Sequence, residues 1–128
     1  MNNTEIDYIR NNRGLVRFPL EMKVPEYMVS NFNRPINMEP LMIDIKEICV
    51  KNDTTYVLSN IINYQNDNIK NNSIILEMLD PSGIVIYSIK YNDIIIKKIE
   101  LSDFDYEDNK VSIIRLIIHY NHFEFLFK

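Results

Sequence analysis

The chain has 128 residues, 46% of them hydrophobic and 25% charged, with a formal net charge of −4 and a pI of about 5.1. That length fits a single domain, 1–128, able to bury a core, and two glycines with five prolines exclude a linker-rich or disordered chain. The acidic balance excludes the basic footprint of tight nucleic-acid binding, and the single cysteine, Cys49, excludes an internal disulfide and fits a reducing compartment.

The opening "MNNTEIDYIRNNRG" is polar and has no apolar core of a signal peptide, and no apolar run approaches a membrane span. A soluble, intracellularly made chain without a membrane anchor is expected. Thr4 can cap a short helix running to about Asn12, with Gly14 ending it. Leu15 to Val24 reads as a strand with Val16, Phe18, Leu20, Met22 and Val24 on one face, and Pro19 favours an edge or a bulge there. Pro25 to Pro40 reads as a loop, with a short extended piece near Arg34 to Met38.

Leu41 to Val50 is a second strand, with Leu41, Ile43 and Ile45 facing one way. The period then changes. Asp53 or Thr54 can start a helix to about Tyr64, with Val57, Leu58, Ile61, Ile62 and Gln65 at helical spacing, before an asparagine-rich loop. The second half is all strand. "SIILEML" and "IVIYSIKY" flank Asp80-Pro81-Ser82-Gly83, a turn with proline second and glycine fourth. "IIIKKIEL" follows Asn92-Asp93, and an acidic loop, "SDFDYEDNK", leads into the closing run "VSIIRLIIHYNHFEFLFK". The expected fold is mainly β: about six strands and one short helix, as a β-sandwich or partly open barrel.

The closing run is apolar on both strand faces, whereas a half-exposed antiparallel strand alternates apolar and polar. At about 3.3 Å per residue its length would be roughly 60 Å, too long for one flat strand in a small domain. A bend or break is expected near His119 to His122, with the aromatic end making different contacts. Phe123, Phe125 and Phe127 share one face and are expected to bury against a neighbouring copy.

Chemistry is sparse. On a strand, His119 points away from His122 and Glu124, so the three cannot converge on a metal. A calcium loop begun at Asp103 would need glycine sixth and glutamate twelfth, where Asp108 and Ile114 stand. Cys49 sits in an apolar strand, and no nucleophile elbow or phosphate loop is present. No catalytic, cofactor-binding or metal-ligating residue is expected, and the chain does not read as an enzyme.

The order of features in the second half is nonetheless specific. Asp80 to Gly83 forms a "DPSG" turn, Asp103 to Tyr106 a "DFDY" acidic loop, and Ile113 to Phe123 a closing strand ending "HYNHFEF". "NFNRPIN", Asn31 to Asn37, precedes the second strand. In that order and spacing the chain resembles the tail tube proteins of contractile-tailed, T-even-like bacteriophages, closely over roughly the last 55 residues and loosely before. It departs in being shorter around Tyr56 to Asn72 and in having a nearly glycine-free first half.

The resemblance implies a structural virion protein. Six copies would form a ring around a continuous inner β-barrel, and rings would stack into a tube delivering DNA. Its partners would be further copies of itself, a sheath protein, a baseplate and a tape-measure protein, with assembly in the host bacterial cytoplasm. DNA would pass without specific binding, and acidic charge would repel its phosphates. A tube-initiating baseplate ring or a tail-terminating ring shares these features. The reading of another class is a monomeric β-sandwich binding module, with Tyr87, Tyr91, Tyr120 and Phe123 to Phe127 as its candidate surface.

Overall fold

The "DPSG" turn closes a hairpin as its residue types require. In the computed structural model, which describes residues 14–47, 54–102 and 112–127, the Gly83 N–H donates to the Asp80 carbonyl at 3.0 Å. The Asp80 carboxylate accepts from the N–H groups of Ser82 and Ile84, both at 2.9 Å, and from the Ser82 hydroxyl. Those donors, the hydroxyl first, hold the Asp80 carboxyl below its ordinary range. Gly83 has φ +90°, open to glycine and costly for other residues.

Eight strands and one α-helix are present among the described residues: β1 Gly14–Arg17, β2 Val29–Phe32, β3 Leu41–Glu47, α1 Thr54–Asp67, β4 Ser73–Leu79, β5 Val85–Asn92, β6 Ile95–Leu101, β7 Ser112–His119 and β8 His122–Phe127. They form two antiparallel four-stranded sheets, ordered β1-β4-β5-β8 and β2-β3-β7-β6. The fold is therefore mainly β, a sandwich that does not close into a barrel. Inward-facing Leu41, Ile43 and Ile45 of β3 and Ile114, Leu116 and Ile118 of β7 meet Ile74, Leu76, Ile89 and Tyr91 of the first sheet, all fully or nearly fully buried. The period-two pattern predicted this face of β3.

Helix α1 lies beside η1, a 3₁₀ turn at Leu20–Met22, and buries Val57, Ile61 and Tyr64 at spacings of four and three. It runs to Asp67, past the expected end at Tyr64, and Ile62, expected on the buried face, is exposed.

Three expectations for the first half are overturned. The strand expected over Leu15 to Val24 ends at Arg17. Pro19, unable to donate to a ladder, starts the 3₁₀ turn, so Met22 and Val24 are buried while Leu20 is 91% exposed. The loop expected from Pro25 contains a second 3₁₀ turn, Glu26–Met28, and then β2. The extended piece expected near Arg34 to Met38 is instead a bend, with Met38 at φ 64°. The expected helix over Thr4 to Asn12, the end of the second strand with Cys49, the cap at Asp53 and the acidic loop from Asp103 lie outside the described residues.

The closing run does break where its length requires. β7 belongs to the second sheet. Tyr120 and Asn121 turn the corner, the Asn121 N–H donating to the Asn92 carbonyl at 2.9 Å, and β8 then joins the first sheet beside β5.

Candidate assembly surface

The corner divides the closing run into a covered part and a bare part. Tyr91 and Tyr120 meet edge to face with ring centres 4.7 Å apart, and Phe123 packs against both. The Tyr91 hydroxyl donates to the Pro35 carbonyl at 2.9 Å, and the Tyr120 hydroxyl donates to the Glu39 carbonyl at 2.7 Å. Burial raises both phenol pKa values above their ordinary range. The two hydroxyls pin down the segment between β2 and β3, and Arg34 of that segment donates to the Tyr87 hydroxyl. Nothing in the period-two reading marked Arg34 or Pro35, because their partners lie on strands more than 50 positions away.

Beyond Phe123 the cover ends. Tyr87 stacks on Phe125 at 5.0 Å, and Phe125 lies 6.0 Å from Phe127. Phe125 is 50% exposed, Leu126 46% and Phe127 78%. Of the residues suggested as an exposed aromatic cluster, Tyr91 and Tyr120 are buried, Tyr87 and Phe123 are half-buried, and the bare ones are Phe125 and Phe127.

The free edges of the two sheets are unequally defended. Proteins blunt exposed edges with short strands, bulges, lysines or a covering element. β1 and β2 have four residues each, and β2 is bulged between Val29 and Asn31. β6 carries Lys97 and Lys98 and a bulge between Ile96 and Lys98, and α1 reaches it through Gln65, whose side-chain amide donates to the Ile96 carbonyl at 2.9 Å. β8 has six residues paired in unbroken register with β5, with Glu124 its one carboxylate and no proline or lysine among them. It is the undefended edge among the described strands.

The two histidines and Glu124 of the closing run stand apart. His119 ends β7 opposite Ile95 on the second sheet, whereas His122 and Glu124 lie on β8 opposite Asn92 and Lys90. Among the described residues no group of three or more His, Cys, Asp or Glu side chains is placed to hold a metal. Asp44, nearly buried on β3, takes a bidentate pair from Arg115 of β7 at 2.8 and 3.1 Å, which ties the two strands on their outer face. An open cavity of about 460 Å³ lies between the end of α1 and the corner, walled by Ile69, Lys70, Asp93, Ile95 and His119 among others. No described helix is long and apolar enough to cross a membrane.

No protein-family profile and no curated protein matches the chain. Solved structures do. A chain of the sheath–tube complex of an extracellular contractile injection system, PVC, in its extended state matches with a TM-score of 0.60 and 14% identity, over 95% of this chain and 97% of that one. A chain of the tube-terminating cap of the anti-feeding prophage matches at 0.59 and 12% identity, over 91% and 89%. One from that particle's baseplate, 6-fold symmetrised, matches at 0.54 and 11% identity, over 88% and 90%. Across nearly its whole length, the chain has the fold found in the tubes, baseplates and caps of contractile injection machines.

Proposed function

We propose that the protein is a structural, non-enzymatic subunit of a contractile tail, forming hexameric rings that stack into its tube. The observation that carries this reading is the bare β8 edge on a fold shared with sheath–tube, baseplate and cap components. An aromatic edge that a monomer leaves in water is a surface for a partner. The reading extends to a phage virion in which sheath and baseplate bind the tube, a tape-measure protein occupies it, and DNA passes through. The net charge of −4 supports passage of DNA without binding.

A second reading keeps the ring and moves it to one end of the tube. It is favoured by the cap and baseplate chains, which match almost as well as the sheath–tube chain. The test is mass photometry and negative-stain imaging of the purified full chain across concentration and salt. Rings of about six times the 15.3 kDa chain mass, or stacks of them, are expected. A 15.3 kDa species under every condition would overturn the reading in favour of a monomeric binding module. Copy number per particle separates a tube from an end ring.

A further inference from the structure

The two ends of the β4–β5 hairpin differ in shape. At one end the "DPSG" turn is held rigid by the hydrogen bonds to the Asp80 carboxylate. Ile84, on that turn, is 65% exposed, and no atom lies within 4 Å of where a Cβ on Gly83 would stand. At the other end, beyond the paired Ser73 and Asn92, opens the cavity of about 460 Å³. The seven residues of β4 set the two about 23 Å apart, at about 3.3 Å per residue. A knob and a cavity at opposite ends of the same strands suit a head-to-tail contact, in which each copy offers one to the copy above and the other to the copy below.

The cavity walls fit a turn of peptide chain. Asn68, Asn71 and Asp93 hold left-handed backbone at φ 52°, 66° and 55°. They are three of the five described non-glycine residues that do so, which concentrates shaped backbone at this one place. Their side chains, and those of Lys70, His119 and Asn121, have no hydrogen-bond or ion-pair partner among the described residues. Asp93 in the wall opposes an anion, and Lys70 opposes a metal cation. The one aromatic ring, Tyr120, is buried against Tyr91 and Phe123, so it gives no platform on which a sugar could lie. What remains is a neutral group that both donates and accepts, as a main-chain amide does and an asparagine carboxamide matches. Ile69 and Ile95 add a surface for an aliphatic side chain.

Resting on the stacked-ring reading above, we propose that this cavity seats the "DPSG" turn of a copy in the adjoining ring. Ile84 lies against Ile69 and Ile95, and the asparagine carboxamides hold the turn's main-chain groups. Strands of a barrel run at about 35–45° to its axis, so the ends of β4 and β5 open on the two faces of a ring. The contact therefore joins ring to ring and is separate from the bare end of β8. A turn already fixed by its own hydrogen bonds loses little freedom on seating.

Charge placed on the knob tests the contact. Ile84→Lys alters an exposed side chain, so its circular dichroism, melting and single rings should match the parent's. It should need at least about tenfold more protein to stack those rings, because a charge would then be buried on isoleucine. Ile95→Glu, at a position 51% exposed, should weaken stacking likewise, and combining it with Ile84→Lys should restore part of the loss. Cysteine pairing then identifies the mate. In a Cys49→Ser background, mixing Ile84→Cys protein with Ile95→Cys protein should give disulfide-linked dimers on oxidation. Mixing it with Leu20→Cys protein, whose cysteine is equally accessible but lies elsewhere, should not. Stacking unaffected by Ile84→Lys, or cross-linking to Leu20→Cys in place of Ile95→Cys, would overturn the contact while leaving the tube intact. Parent rings that form and never stack would overturn the contact and favour the end-ring reading. A parent that stays monomeric would overturn the ring reading and the contact together.

Discussion

At the scale of single residues, the clearest commitments are those that no other side chain can fill. Gly83 sits at φ +90° with nothing within 4 Å of where a Cβ would stand, so its role is conformational and not one of packing. Gly83→Ala should cost about 1–2 kcal/mol, the penalty of a left-handed backbone for an L-residue, measurable as a drop in chemical-denaturation midpoint. A loss below a few tenths of a kcal/mol would show that the turn relaxes freely. The buried phenols give a second test. Desolvation holds Tyr91 and Tyr120 neutral, so their folded pKa values lie above the unfolded one. Stability from that neutrality is complete below about pH 10 and declines as pH rises toward the folded values. A spectrophotometric titration should therefore show a late tyrosinate fraction that ionises with unfolding, and Tyr91→Phe should remove part of it. A single ordinary step near pH 10 for all the tyrosines would refute the assignment.

Secondary-structure elements were readable wherever one local rule acted without a rival. β3, the β4–β5 hairpin and the break in the closing run followed from period, turn chemistry and reach. The Leu15 to Val24 segment failed because its alternation was genuine as a burial pattern for Val16, Met22 and Val24 but not as backbone. The 3₁₀ turn at Leu20–Met22 skips one position outward and brings Met22 back inside. β2 stayed hidden between prolines, since four residues are too few for a pattern to register. In α1 the helix was legible and its rotation was not, because Leu58, Ile61, Ile62 and Tyr64 offer two apolar stripes and the sheet edge chooses between them. That choice is testable. Ile61→Ala, at a fully buried position, should cost about 2–5 kcal/mol. Ile62→Ala, at a position 40% exposed, should cost well under 1 kcal/mol. Equal losses in thermal or urea unfolding would mean that the helix sits differently.

For the whole molecule, the question is how a sequence apolar to its last strand can belong to a folded subunit and to an assembly at once. The expectation that Phe123, Phe125 and Phe127 are all lent to a neighbour is divided by the structure: Phe123 packs on Tyr91 and Tyr120, while Phe125 and Phe127 are left half or more exposed. Sequence could not draw that line, because the cover over Phe123 comes from Tyr91 and Tyr120 outside β8, which no property of β8 itself encodes. The division fixes opposite outcomes for two substitutions on one strand. Phe123→Ala removes a half-buried ring from the core and should lower stability by about 1–3 kcal/mol, less than the 3–5 kcal/mol of a fully buried phenylalanine. Phe127→Ala, at 78% exposure, should leave monomer stability within about 0.5 kcal/mol. Assembly should rank them the other way once corrected for the folded fraction, with Phe127→Ala raising the concentration at which sedimentation first detects rings and Phe123→Ala changing it little. If Phe127→Ala unfolds the monomer or assembles like the parent, the bare end of β8 is not where one copy meets the next.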